Sequence, residues 1–253
     1  YFIRYCVCIE IISKQIIQIG GKMGKCLIVG AGAIGRGYIP WELKDFDITF
    51  FDTNLTLVDS LASRKRYKSF MSYGDRLESL EVDSSRTFSS VNEIDLSIFD
   101  LAFICVGPRN VNKLSPDFGK LICPIYSLEN DPATVMEMRK LFDKENIYFG
   151  VPDVITSLTA SPESLSEDSN ALHTENGILY LEDHGDIPIS LKSLTPTILW
   201  IDPEKMRAEW DAKLYIHNTP HCIAAFLGYF HNCTYLHEAL KIPDVAKILE
   251  GVV

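Results

Sequence analysis

The chain has 253 residues, of which 47% are apolar and 23% charged, with 15 glycines and 12 prolines. This is the composition of a globular protein, and it excludes disordered, collagen-like and coiled-coil chains. The formal net charge is −10 and no basic cluster offsets it, so nucleic acid is not expected as a partner. Seven cysteines, with neither a CxxC pair nor zinc-finger spacing, favour reduced thiols in a cytoplasmic protein without a bound metal.

Residues 1–22 are predicted to form an extension, and the functional protein is predicted to start at or near Met23. The extension is apolar, but Arg4, Glu10 and Lys14 interrupt it, so it does not predict a membrane span. It also lacks the small-residue cleavage site of a signal peptide. The alternative is an added edge strand or helix, because so apolar a segment has to be covered.

Residues 23–202 alternate between apolar runs and amphipathic runs, which predicts an α/β fold with a Rossmann-type doubly wound sheet and added antiparallel strands. The main strands are predicted over residues 25–29, 47–51, 101–106, 124–128 and 147–151, with helices from the first glycines to about 44, over 55–66 and over 132–144. A small antiparallel excursion is predicted over 67–88, a loop over 157–170, and short strands over 177–182 and 187–191. From residue 203 to residue 253 the pattern is helical, which predicts the beginning of an α-helical domain.

A glycine-rich motif connects the first predicted strand to the first helix. Gly30 permits a tight turn, Gly32 allows the backbone to approach a pyrophosphate, and Gly35 lets helix and strand pack closely. Asp52 ends the next strand, about 20 residues after Gly32, where a carboxylate accepts hydrogen bonds from ribose hydroxyls and repels a 2′-phosphate. The motif therefore predicts NAD rather than NADP. The residues predicted to bind it are Gly30, Gly32, Ala33, Ile34, Gly35, Asp52, Val106 and Gly107.

A second motif lies in the helical part, where Lys213, Asn218 and His221 are separated by five and then three positions. A straight helix does not place all three on one face. Because the residue before proline avoids the α region, Thr219-Pro220 predicts a break between two helices that lets the three side chains converge. A desolvated lysine takes the proton of an alcohol without a metal, and the other two stabilise the developing oxygen charge. The alternative is an exposed lysine followed by a helix-breaking turn with a packed histidine.

These motifs together resemble those of the mannitol dehydrogenase family of long-chain polyol dehydrogenases. The segment GAGAIGRGYI, the sequence KLYIHNTPH with its K-x4-N-x2-H pattern, and Ser127-Leu128-Glu129-Asn130 carry the resemblance. It implies Lys213 as general base, with Asn130, Asn218 and His221 as polarising and orienting groups and no zinc. It also implies a small-molecule polyol or sugar phosphate as substrate. Residues 223–253 are similar to the branch that interconverts mannitol 1-phosphate and fructose 6-phosphate.

The chain departs from the family pattern in two places. Residues 151–156 keep Asp153 but lack the arginine that often follows it, and family members continue for about a hundred residues as a helical domain that closes the cleft. Two alternatives therefore stay open: a hexuronate or unphosphorylated-hexitol reductase, and a truncated NAD-binding module of low activity. We expect this chain to bind NADH, to turn substrate over poorly and to self-associate, and a longer chain to restore activity. The apolar face that we expect helices after Lys241 to bury includes Ala224, Phe226, Leu227, Phe230 and Leu236.

Overall fold

A computed structural model describes residues 24–74 and 76–252 of the chain. The predicted N-terminal extension and Met23 lie outside the described residues. Twelve strands in the described part form one large and one small sheet. They are β1 (Gly24–Val29), β2 (Phe46–Phe51), β3 (Arg66–Tyr73), β4 (Arg76–Asp83), β5 (Thr87–Phe88), β6 (Leu101–Ile104), β7 (Ile125–Ser127), β8 (Ile147–Asp153), β9 (Thr156–Ser157), β10 (Leu172–Glu175), β11 (Ile178–Glu182) and β12 (Leu199–Ile201).

The large sheet has eight strands in the order β12-β11-β8-β7-β6-β1-β2-β5. The six strands from β5 to β8 run parallel, whereas β11 pairs antiparallel with β8 and β12 runs parallel to β11. The chain order reverses beside β1, so a crevice opens at the carboxyl ends of β1 and β6, where doubly wound sheets bind their ligands. The predicted Rossmann-type sheet with added antiparallel strands is confirmed.

The central strands are apolar on both faces because both faces are covered. In β1, Cys26 and Ile28 belong to one buried cluster and Leu27 and Val29 belong to the other. Successive side chains of a strand point to opposite faces, so a continuous apolar run is what two covering layers require. The four residues of β6 are likewise completely buried.

Helices cover the sheet and continue beyond it. The segment after β1 starts as a π-helical turn (Ala33–Tyr38), and a second π-helical segment (Lys213–Asn218) lies in the helical part. The α-helices are α1 (Ile39–Glu42), α2 (Leu55–Arg64), α3 (Ala133–Phe142), α4 (Pro162–Glu167), α5 (Ile189–Leu194), α6 (Pro203–Ala212), α7 (Thr219–Phe230), α8 (Leu236–Ala239) and α9 (Pro243–Glu250). Short 3₁₀ turns lie at Val91–Glu93, Pro108–Lys113 and Pro116–Lys120.

The small sheet, in the order β4-β3-β10-β9, supports the segment that follows the glycine-rich loop. From β3, the Tyr67 hydroxyl donates to the Arg36 carbonyl at 2.7 Å, and the Ser69 hydroxyl donates to the Gly37 carbonyl at 2.6 Å. The guanidinium of Arg36 in turn donates to the Ala31 carbonyl at 2.8 Å. The small sheet therefore fixes the backbone on which the loop depends.

Three local predictions are wrong. The predicted loop over 157–170 contains part of β9 and the helix α4, whose first turn is capped by Ser161, which accepts from the Ser164 amide at 3.2 Å. The predicted strand over 187–191 is also wrong, because Ile187 and Pro188 precede α5 and residues 189–191 form its first turn, with Leu191 buried. Residues 67–88 are not all antiparallel, since β5 joins the large sheet parallel to β2.

Candidate active site

The glycine-rich loop has the geometry of a surface that receives a phosphate group. Gly30 has a φ of +99°, and a Cβ on it would lie 2.4 Å from the Cys105 carbonyl oxygen. A Cβ on Gly35 would lie 2.1 Å from the Gly30 oxygen, so this glycine serves internal packing. A Cβ on Gly32 would meet no atom within 4 Å, so that position faces open space at the start of the helical segment. Backbone amides at such a helix start attract phosphate.

Asp52 lies beside this loop and closes it. Its carboxylate accepts hydrogen bonds from the Ala31 amide and from the Asn54 amide, each at 2.8 Å. A carboxylate has about four lone-pair sites, so acceptor capacity for ribose hydroxyls is left. The pocket at this position has a volume of about 270 Å³. Its lining residues are Gly30, Gly32, Phe51, Asp52, Thr53, Cys105, Val106, Asn110, Lys113 and Leu114.

A second pocket of about 420 Å³ lies on the other side of Cys105, which lines both pockets. It joins the nucleotide loop to the predicted catalytic residues, because Asn130, Lys213 and Asn218 line it together with Ala33 and Gly107. These residues come from the ends of β1, β6, β7 and β8 and from the π-helical segment. The other lining residues are Ile34, Cys105, Pro108, Leu128, Glu129, Pro152, Val154, Ile155 and Thr156.

Lys213 is buried at the wall of this second pocket, and its Nζ donates to the carbonyl of Pro152. Burial lowers the pKa of Lys213 from its ordinary value, while the carboxylates of Asp153 and Glu175 oppose that shift. A lowered pKa raises the fraction of neutral amine at neutral pH. The amine is held by a backbone carbonyl, which fixes its direction without neutralising it.

The helix break predicted between residues 217 and 220 is wrong. Residues 212, 213, 218 and 219 all have right-handed helical dihedrals, so α6, the π-helical segment and α7 are continuous. Pro220 lacks an N–H, but the wider π turn lets the Thr219 amide and hydroxyl both donate to the Leu214 carbonyl, the hydroxyl at 2.7 Å. Because π-helical bonds run from i to i+5, Lys213 and Asn218 lie one turn apart. Convergence arises from a widened helix instead of two separate ones.

His221 does not line either pocket. Its Nδ1 donates to the His217 carbonyl at 2.7 Å. His217, to which the sequence assigned no role, has its Nδ1 2.7 Å from Asp153 Oδ1 and its Nε2 3.2 Å from Glu175 Oε1. The structure thus brings three of the four predicted catalytic residues together around one pocket, whereas His221 is not part of its lining. Sequence spacing held no signal for this pairing, because both carboxylates lie far from His217 along the chain.

Glu129 is the lining residue that sequence reasoning missed, although it belongs to the Ser127–Asn130 segment. It is buried, and one of its carboxylate oxygens accepts from the Gly107 amide at 2.9 Å. Burial raises the pKa of Glu129 to about 7, and the amides of Gly107 and Val106 oppose the shift.

Residues 24–74 and 76–252 contain neither a candidate membrane span nor a candidate metal site. None of the helices there is long and apolar enough to cross a membrane. No group of three or more His, Cys, Asp or Glu side chains in that part of the chain could hold a metal ion. The metal-independent site stays a prediction.

Curated relatives bear out the resemblance. A protein of Exiguobacterium sp. is 25% identical over 251 residues, which cover 90% of this chain and 63% of the relative. A protein of Podospora anserina is 23% identical and covers 87% and 62% respectively. Both are named mannitol-1-phosphate 5-dehydrogenase. The chain spans a little under two thirds of the length of these relatives, and no family model matches it.

Solved structures show the fold. A PanE/ApbA family ketopantoate reductase from Ralstonia eutropha superposes with a TM-score of 0.60 at 15% identity, covering 89% of this chain and 70% of that one. D-mandelate dehydrogenase, solved with NADH, gives 0.54 at 16% identity, covering 90% and 71%. This chain therefore has the same Rossmann-type fold as these two proteins.

Proposed function

We propose that the chain is part of an NAD-dependent oxidoreductase that interconverts a hexitol phosphate and its ketose phosphate, of the mannitol 1-phosphate and fructose 6-phosphate type. One observation carries this proposal: a single pocket joins Ala33 and Gly107 of the nucleotide side to Lys213, Asn218 and Asn130. The names of the curated relatives support the substrate class.

The described residues fit a dinucleotide along the crevice. The open space at Gly32 suits the pyrophosphate, and the Asp52 carboxylate suits the hydroxyls of the adenosine ribose. The nicotinamide then belongs in the pocket lined by Ile34, Gly107 and Lys213. When bound, the nicotinamide supplies the hydride acceptor for alcohol oxidation.

The chain's own residues handle the proton and the oxygen. The neutral Lys213 amine takes the proton of the substrate hydroxyl, and burial favours the neutral form that accepts it. The carbonyl of Pro152, a residue that also lines the pocket, accepts a hydrogen bond from Lys213 Nζ and so holds the amine at the pocket wall. The side-chain amides of Asn130 and Asn218 donate to the oxygen as the carbonyl forms. His221 supports this arrangement indirectly, through its hydrogen bond to the His217 carbonyl.

An NADH-oxidation assay tests the substrate class. We expect oxidation with fructose 6-phosphate to exceed that with fructose, fructuronate and tagaturonate. Faster turnover of a hexuronate or of fructose would overturn the phosphorylated substrate while keeping the reductase. Tight NADH binding with no turnover of any of the four would instead favour a binding module.

The preference for NADH over NADPH tests the cofactor site. Because the Asp52 carboxylate repels a 2′-phosphate, we expect the chain to bind NADH more tightly than NADPH. In Asp52→Asn the ratio of the NADPH Kd to the NADH Kd should fall about tenfold. Asparagine keeps an acceptor oxygen for one of the two loop amides, whereas alanine would remove both hydrogen bonds. Asp59→Asn, on the exposed surface of α2, is the matched control. Calorimetry that showed equal losses for both cofactors would assign Asp52 to loop support alone.

A further inference from the structure

A buried carboxyl group lies at the junction of the two pockets. Glu129 follows β7 and lines the second pocket with Gly107, whose amide donates to it at 2.9 Å. Gly107 and Val106 follow β6, and Val106 lines the first pocket. Glu129 therefore holds the backbone segment that separates the two halves of the crevice.

A charge is not required for that support. A neutral glutamine oxygen also accepts an amide hydrogen bond, although more weakly than a carboxylate does, and burying a carboxylate without a cation is unfavourable. No ion pair involving Glu129 occurs among the described residues, and its raised pKa, about 7, reflects burial that its amide partners only partly offset. The position thus carries a titratable negative charge beside the pocket that suits the nicotinamide.

We propose that Glu129 is a positioning residue that also sets, through its charge, the preference of the site for the oxidised over the reduced nicotinamide. This inference rests on the proposed NAD-binding function. The two cofactor forms share every group except the ring, which carries a positive charge only when oxidised. A carboxylate near the ring stabilises the oxidised form selectively, and low solvent access strengthens the effect.

The sign of the pH dependence follows. Glu129 is protonated below its pKa and ionised above it, so the Kd of NAD⁺ relative to that of NADH falls as pH rises through about 7. Two other titratable groups line the same pocket, Cys105 and Lys213. Burial raises the pKa of the Cys105 thiol, which stays neutral in this range. Deprotonation of Lys213 acts in the same direction as ionisation of Glu129, so its contribution has to be separated by mutation.

Equilibrium binding of NAD⁺ and of NADH, each measured at about pH 6 and about pH 8.5, tests the inference. For the wild-type chain we expect the ratio of the two Kd values to change about tenfold between these pH values. Glu129→Gln keeps the acceptor for the Gly107 amide and should remove most of this change. Lys213→Met should retain it. Glu137→Gln, on the exposed face of α3, is the matched control and should match the wild type.

Each outcome bears on the inference. A wild-type ratio that is constant with pH would overturn it without any variant. Equal changes in both Kd values in Glu129→Gln would reduce Glu129 to a structural acceptor, and a pH dependence that survived in this variant would assign the effect elsewhere. If the wild type bound neither cofactor, the proposed function would fail together with the inference, whereas binding without the pH effect would leave the function standing.

Discussion

The α/β part of the chain (residues 24–202) and the helical part (residues 203–252) differ in how far they bury their aromatic side chains. In the α/β part Phe50, Phe103 and Phe118 are completely buried, and two clusters fill both sides of the large sheet. In α7 of the helical part, Phe226 is 73% and Tyr229 79% exposed. The part that carries the nucleotide loop therefore satisfies its own packing, whereas the part that carries Lys213 does not.

Side-chain contacts hold the helical part against the α/β part. The Trp210 indole donates to the Asn130 carbonyl at 3.3 Å, Lys213 donates to the Pro152 carbonyl, and His217 lies 2.7 Å from Asp153. All of these contacts lie on one face of the continuous helix. Its proposed chemistry consequently depends on the edge of the α/β part, while the packing of α7, α8 and α9 rests on a small cluster of four buried residues.

Lys213→Ala is the substitution with the largest expected effect. It should lower turnover, which depends on the helical part, and leave NADH binding, which depends on the α/β part, nearly unchanged. Loss of a general base lowers turnover by about a hundredfold or more, whereas the NADH Kd should stay within about twofold because the cofactor contacts lie in the α/β part. Steady-state NADH oxidation and calorimetry measure the two quantities. Lys140→Ala, exposed on α3, is the matched control. A parallel loss of NADH affinity would make Lys213 a structural residue.

The same substitution, glycine to alanine, should have different effects at two positions of the glycine-rich loop, lowering stability at one position and NADH affinity at the other. Gly35→Ala places a Cβ 2.1 Å from the Gly30 oxygen, and we expect a loss of about 3 kcal/mol in the free energy of unfolding. Gly32→Ala meets no protein atom, so stability should change by less than about 1 kcal/mol while NADH affinity falls, because the methyl group occupies the space of the phosphates. Denaturant unfolding and NADH titration distinguish the two. Unchanged NADH affinity in Gly32→Ala would contradict the placement of the pyrophosphate.

The sequence predicted the α/β part well because its signals are local. Continuous apolar runs such as β1 and β6 arise only where both faces of a strand are covered, and glycine spacing reports the loop directly. Prediction failed where two local signals competed. Residues 187–191 alternate as I-P-I-S-L, which favours a strand, yet residues 189–191 begin the helix α5 directly after Pro188. Thr219-Pro220 predicts a break, yet the helix continues through Pro220. The widened π turn lets the Thr219 amide and hydroxyl both donate to the Leu214 carbonyl.

The candidate site shows the same limit. Lys213 and Asn218 were predicted from one short motif, and Asn130 from a short segment that carries the family resemblance. The contacts of Glu129 with Gly107, and of His217 with Asp153 and Glu175, join residues that are 22 to 64 positions apart along the chain. Such pairings depend on strand order, which residue spacing along one chain does not report.

The exposed aromatic side chains of α7 give the smallest expected effect on stability and a direct test of the contrast between the two parts. Phe226 and Phe230 lie one helical turn apart with ring centroids separated by 6.4 Å, and Tyr229 adjoins Phe230 at 6.3 Å, so the three form a continuous apolar patch. Patches of this kind promote association in water. We expect the 253-residue chain to self-associate in a concentration-dependent way in size-exclusion chromatography with light scattering.

Phe226→Glu combined with Phe230→Glu should shift this equilibrium toward the monomer. Because both side chains are more than 70% exposed, the free energy of unfolding should change by only about 0.5 kcal/mol. Met136→Glu is the matched control, since Met136 is 64% exposed on α3 of the α/β part and lies outside the patch. This control should leave association unchanged, because a single exposed apolar residue is ordinary on a protein surface. If Met136→Glu reduced association as much as the double variant does, net charge would govern association. The contrast between an α/β part that buries its own apolar surface and a helical part with an uncovered face would then no longer hold.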